Sequence, residues 1–152
     1  MPARMEFLPL LESPLDFWIP TADCAVRHSA LEARKPDGSV DLHDVPLIVP
    51  ERGVTKETLD RWFAAQGMRP RIYAQVAGHE AIVAMVALGL GVGVAPELVV
   101  EAGAMSSQVE SLGVSEGLPS LNIGLCGLRQ RLASPLVRSV WDVAAQTYPR
   151  AV

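Results

Sequence analysis

Apolar positions along this chain switch repeatedly between the period of a strand and that of a helix. Residues 15–19 (LDFWI) are a short aromatic-rich run between Pro14 and Pro20, which predicts a strand. Residues 46–50 (PLIVP) are an unbroken apolar run of strand length, which predicts a buried strand. Beyond them Leu59, Trp62 and Phe63 fall at i, i+3 and i+4 and make one helical stripe. Thr55 is placed to cap that helix and Glu57 to complement its dipole, while Gly67 and then Pro70 end it. Residues 71–76 (RIYAQV) alternate like a strand, with Ile72, Ala74 and Val76 on one face and Tyr73 and Gln75 on the other. Residues 79–88 are apolar nearly all round after their first turn, which predicts a buried helix.

The pattern continues with extended chain at 92–94. Pro96 suits the first position of a short helix over 97–101 that Gly103 closes. Strands follow at 108–112 and 121–126. Ser134 and Pro135, as cap and first helical residue, open a last helix whose stripe is Val137, Val140, Trp141 and Ala144. Residues 21–44 are polar, with Pro36-Asp37-Gly38 as a turn signal, and leave room for one short helix in a connecting loop. The order is β, loop, β-α-β-α-β-α, β, β-α. That alternation specifies an α/β fold, helices packed on a largely parallel sheet.

Gly89-Leu90-Gly91-Val92-Gly93 invites a nucleotide reading. A dinucleotide fingerprint runs strand, glycines, helix, so that pyrophosphate meets a helix N-terminus. Here the order is helix, glycines, strand, and the amides sit at the negative end of a helix. The run is a tight helix-to-strand turn. It is not a phosphate loop.

Composition narrows the classes further. The 152 residues suit one domain with a core of its own, and 49% apolar and 20% charged residues fit a soluble globular chain. A mean hydropathy of +0.24 is high for that class and leaves apolar surface for a partner. Thirteen Lys+Arg against 17 Asp+Glu give a net charge of −4, so no basic surplus supports direct contact with DNA. Arg69 and Arg71, like Arg129 and Arg131, read as solvated surface. Two cysteines, Cys24 and Cys126, make no disulfide framework. Glu6 and Glu12 interrupt any signal-peptide-like run, and the apolar run 81–88 is too short to cross a bilayer. The expectation is a soluble, cytoplasmic protein with no membrane partner.

Reaction chemistry finds little support. His79-Glu80 begins like HExxH, but Val83 stands where the second His belongs. His28, His43 and His79 lie on separate segments, so neither metal nor other cofactor is expected. Cys126, in the apolar run LNIGLCG, reads as a core residue. More suggestive are two strand–loop–helix junctions: Pro50, Glu51, Arg52, Gly53, Val54 and Thr55, and then Gly78, His79 and Glu80. Loops at strand C-termini line the ligand crevice of open α/β sheets. Unpaired helix N–H groups with Arg52 suit a small carboxylate, and His79 is placed to donate or accept beside it. The competing reading has Arg52 solvated and His79 merely capping a helix.

The stretches PLIVPERG, LDRWFAAQGMRPRIYAQV and HEAIVAMVALGLGVGVAPE resemble the effector-binding domain of LysR-type transcriptional regulators. The shared feature is a buried helix that ends in a glycine turn, here Val86-Ala87 through Gly89, Gly91 and Pro96. LNIGLCGLRQRLASPLVRSVWDVA resembles that family's closing strand and helix. The resemblance implies Rossmann-like lobes of the periplasmic-binding-protein type, with effector held between two lobes. It matches the second-lobe loops to residues 50–55 and 78–80. Within the family, residues 73–101 are most similar to regulators of branched-chain amino acid synthesis, which implies acetolactate and acetohydroxybutyrate as inducers.

The resemblance also sets expectations for organisation. Residues 21–105 correspond to a complete second lobe, 15–19 and 108–112 to the crossover strands, and 121–148 to the last strand and helix of the first lobe. No winged helix-turn-helix or linker helix is in the sequence, so residues 1–152 are expected to be a partial effector-binding domain, a fragment or a truncated product. Val137, Val140 and Trp141 would then lack their packing partners, favouring self-association or a mobile C-terminus. Family dimers pair a helix and an edge strand antiparallel, which implies the helix of Leu59 to Phe63 and the strand 71–76 here. The expected function is a homo-oligomeric sensor of a small carboxylate that catalyses no reaction. The alternatives are a stand-alone solute-binding protein of the same fold, a small α/β enzyme, and a non-sensing fragment that pairs with full-length regulators.

Overall fold

The computed structural model describes residues 4–114 and 117–148. Its strands are β1 (Met5–Ser13), β2 (Leu15–Pro20), β3 (Pro46–Pro50), β4 (Arg71–Val76), β5 (Val92–Pro96), β6 (Val109–Ser111) and β7 (Leu121–Leu128). Its helices are α1 (Ala25–Ala33), α2 (Val54–Ala65), α3 (His79–Ala87), α4 (Glu97–Ala102) and α5 (Pro135–Thr147). They fall into two compact units, one of Pro14–Ser120 and one of Met1–Ser13 with Leu121–Val152.

The larger unit is built on a five-stranded sheet in the order β4-β3-β5-β2-β6. β3 pairs parallel with both β4 and β5, while β2 pairs antiparallel with β5 and β6. The sheet is therefore mixed, and β2 is the strand that departs from the expected parallel arrangement. Helices cover both faces, which is why β3 and β5 are apolar without alternation. Trp18, Ile48, Ile82, Val83, Val86, Ala95 and Val100 form the core on the α3 side. The Trp18 indole N–H donates to the Ala95 carbonyl at 3.0 Å within it. By strand alternation Phe17 points the other way and meets Trp62 and Phe63 of α2, with ring centroids 5.1 and 6.4 Å away.

The glycine run does the structural work its order implies. Gly89 has φ +77, and its N–H donates to the Val86 carbonyl at 2.8 Å, closing α3. A Cβ on Gly93 would sit 2.5 Å from Val86 and 2.7 Å from Ile82, so glycine lets α3 lie directly on β5. Gly67 ends α2 in the same manner, its N–H donating to the Ala64 carbonyl at 3.1 Å.

Several expectations need correction. α3 is buried on one face through Ile82, Val83 and Val86, but Leu88 at its end is 76% exposed. A helix lying on a sheet buries only the face that touches it. β4 is an edge strand, and its Ile72 and Tyr73 are both exposed. Pro96 is the last residue of β5 and the N-cap of α4, one position earlier than expected. The turn at Pro36-Asp37-Gly38 follows α1, where an Arg34–Val40 bridge closes the loop.

The smaller unit pairs β1 antiparallel with β7. The pattern of residues 5–13 did not announce β1, because Pro9 argues against a strand interior. Register shifts between Pro9 and Leu11, and this irregularity in a two-stranded ribbon accommodates the proline. Cys126 is exposed and not a core residue. Gly127, next to it, faces Trp141 of α5, where a Cβ would lie 3.3 Å from the indole, so alternation turns Cys126 to the opposite side. No residue of α5 is fully buried; Leu136 is 82% exposed and Val140 64%. Ser134 precedes α5 as expected but makes no side-chain cap bond. Among the described residues no helix is long and apolar enough to cross a membrane.

Gly93→Ala is expected to lower stability by about 1–3 kcal/mol, because the added methyl forces α3 off the sheet. Urea denaturation of the two proteins measures the difference.

Candidate functional site

Parallel pairing brings the ends of β3 and β4 together: Pro50 is the register partner of Val76. The Glu51 N–H extends the pairing by donating to the Val76 carbonyl at 3.2 Å. Each strand then turns through a loop into a helix, α2 after Gly53 and α3 after Gly78. Both glycines occupy positive φ, +95 and +90, which side chains with a Cβ rarely adopt. Neither helix has a side-chain cap. The first-turn N–H groups have no acceptor within their own helices and carry the positive end of the macrodipole. Two helix N-termini therefore open from neighbouring strand ends.

Thr55 joins them. Its side-chain oxygen lies 3.1 Å from His79 Nε2, a hydrogen bond between the first turn of α2 and the first residue of α3. Thr55 is 5% exposed and is therefore not the N-cap expected from its position; Gly53 takes that role. Thr55 lies four residues before Leu59, on the buried stripe of α2, and that spacing was the available signal for its true direction. Burial lowers the His79 pKa below its usual 6.5, although the Glu80 carboxylate works in the opposite direction. The imidazole is thus held neutral at pH 7.

Other residues of the two junctions are placed differently. Arg52 is 88% exposed and pairs loosely with Glu51, Nε to Oε1 3.5 Å, so its guanidinium is solvated. Val54 is exposed, Pro50 is buried, and Glu80 is exposed at the start of α3. A separate cavity of about 1040 Å³ opens beside Glu32, Lys35, Asp41, His43, Val45 and Arg69, at the end of β3 opposite Pro50. It takes in none of the residues of the two junctions. Among the described residues no group of His, Cys, Asp and Glu has the arrangement of a metal site. The paired N-termini with a neutral imidazole and a buried hydroxyl can bind an anion with hydrogen-bonding substituents.

The LysR substrate binding domain model matches residues 2–149. This chain belongs to that family. It is 30% identical over 142 residues to the transcriptional activator IlvY of Haemophilus influenzae, covering 93% of this chain and 47% of the relative. It is 33% identical over 146 residues to the transcriptional regulator IlvY of Escherichia coli K12, covering 94% of this chain and 48% of the relative. The chain thus spans about half the length of these relatives, which are transcriptional regulators. Among solved structures, the CcmR regulatory domain of Synechocystis PCC6803 in complex with 2-PG aligns with a TM-score of 0.76 at 17% identity. That alignment covers 96% of this chain and 68% of the other. The effector-binding domain of QuiR in complex with shikimate aligns with a TM-score of 0.72 at 21% identity, covering 97% and 66%. The fold is that of LysR effector-binding domains, periplasmic-binding-protein-like, as the family resemblance implied.

Gly53→Ala is expected to cost about 1–3 kcal/mol of stability, all of it backbone strain. No atom lies within 4 Å of the added Cβ to contribute a clash. Equilibrium urea unfolding gives the number.

Proposed function

We propose that this chain is the ligand-sensing part of an IlvY-like LysR regulator and binds a small carboxylate to control branched-chain amino acid biosynthesis genes in the cytoplasm. The effectors are acetolactate and acetohydroxybutyrate, each a carboxylate with an adjacent hydroxyl and a keto group. The binding residues are Pro50, Glu51, Arg52, Gly53, Val54, Thr55, Gly78, His79 and Glu80. The observation that carries the reading is the Thr55–His79 hydrogen bond set between two uncapped helix N-termini. The amides of the first turns receive the carboxylate, the Thr55–His79 pair receives the hydroxyl or keto oxygen, and Arg52 contributes charge from solvent. The two carboxylate-type ligands named with QuiR and CcmR support that substrate class, and the IlvY relatives support the regulatory role.

Binding stabilises one arrangement of a homodimer or higher oligomer and so biases the DNA-binding domain of the regulator. The exposed edge strand β4 and the adjacent α2 are the elements offered for subunit pairing. The competing role, a fragment that pairs with a full-length regulator without sensing, rests on that same edge.

A thermal melt with millimolar acetolactate, acetohydroxybutyrate and a panel of simple carboxylates tests the reading. Ligand at a hundred times its dissociation constant stabilises by about 2.7 kcal/mol, or roughly 5–10 °C for a chain of this size. The rise is expected with the two acetohydroxy acids and is expected to be largely lost in Thr55→Val. A cooperative melt indifferent to every carboxylate overturns the sensing reading and leaves the pairing role.

A further inference from the structure

Thr55 and His79 share a limited supply of protons. A threonine hydroxyl carries one and a neutral imidazole carries one, and the bond between Oγ1 and Nε2 uses one of the two. If Nε2–H donates, the hydroxyl proton is left over; if the hydroxyl donates, Nδ1–H is left over. In either tautomer the neutral pair offers one spare donor. A carboxylate with a neighbouring hydroxyl presents several acceptor lone pairs, more than one donor satisfies. A third proton on the pair changes this: Nε2–H then donates to Thr55 Oγ1, and both Nδ1–H and the Thr55 O–H are free to donate.

Resting on the effector site proposed above, we infer that binding of a 2-hydroxy carboxylate is coupled to uptake of one proton by His79, whose ring is held against Thr55. Burial lowers the pKa of the ring, and the positive ends of two helix dipoles disfavour a cation in the same sense. A bound anion reverses that balance, because a negative charge within a few ångströms favours the imidazolium. The other charges around the ring do not do this in its place. Glu80, on the same helix, favours the imidazolium but does not outweigh burial. From the loop before α2, Glu51 and Arg52 carry opposite charges and pair with each other. From α2, Lys56 is held by Asp60 at 2.6 Å. The end of β4 offers Gln75 and Val76, which carry no charge.

The sign follows from linkage. Since the bound state holds the proton more tightly than the free state, affinity is greatest below the free-state pKa. It is lost as pH rises through the bound-state pKa. One proton corresponds to at most about a tenfold change in affinity per pH unit.

Isothermal titration of the full chain with acetolactate, and with the stable analogue 2-hydroxy-2-methylbutanoate, tests this between pH 5.5 and 8. Buffers of different ionisation heat report the proton count. The expected result is tighter binding at low pH with net proton uptake. His79→Gln should bind both compounds more weakly than the unaltered chain at pH 5.5, with no pH slope and no proton uptake. NMR titration of the three histidine rings of the unaltered chain, empty and loaded, gives a readout independent of any variant: one ring should titrate higher when loaded. Saturable binding with a flat pH profile and no proton uptake overturns the coupling but leaves the site. A slope retained in His79→Gln assigns the proton elsewhere and overturns it too. Absence of saturable binding at every pH overturns both the coupling and the site beneath it.

Discussion

Parallel pairing of β3 with β4 and β5 is the constraint on which the larger unit depends. Parallel strands cannot be joined by a hairpin, so each step from one to the next crosses the sheet face through a helix. The crossovers α2 and α3 bury opposite faces of the same strands, which makes β3 and β5 apolar throughout. The same geometry puts the C-terminal ends of β3 and β4 side by side and starts a helix just beyond each. Two helix N-termini, each the positive end of a helix dipole, are thus set near each other by topology before any side chain is chosen. Thr55 and His79 add what topology lacks, a hydrogen-bonded side-chain pair between those helix starts.

Glycine has two separate physical roles around that arrangement. At Gly91 and Gly93 the missing Cβ is steric: the backbone of β5 lies against Pro46, Ile48, Ile82 and Val86 at distances a methyl would violate. At Gly53 the surroundings are open and at Gly78 a Cβ would meet only the Glu80 carboxylate, at 3.7 Å, so the requirement is conformational, a positive φ that redirects the chain from strand into helix. The first role holds α3 on the sheet. The second leaves the N-termini of α2 and α3 free of side-chain caps. Both belong to the same binding fold, although only the first lies in the glycine-rich stretch that attracts the eye.

The smaller unit follows looser rules. A two-stranded ribbon with one helix cannot enclose a core of its own, so its residues are mostly half-buried and α5 keeps Leu136 and Val140 in solvent. Such a ribbon also tolerates Pro9 at a register shift, which a central strand would not. The high mean hydropathy of the chain finds part of its expression here, in apolar side chains that this unit leaves exposed.

Local periodicity and punctuation were sufficient for β2, β3, α2, α3, β5 and the glycine turn, because each of these is specified by neighbours within a few residues. The two junctions at 50–55 and 78–80 could be read for the same reason: a strand that ends and a helix that begins leave N–H groups without acceptors wherever the chain goes. Tertiary structure decided the rest. Thr55 caps nothing, because the turn of α2 that carries it faces inward to a histidine 24 residues away. Arg52 lies in solvent, where it pairs only loosely with its neighbour Glu51. Cys126 is exposed and β1 is a strand because of pairing between segments more than a hundred residues apart. Period and propensity are local quantities; which face of an element meets water depends on what packs against it, and only the folded chain supplies that.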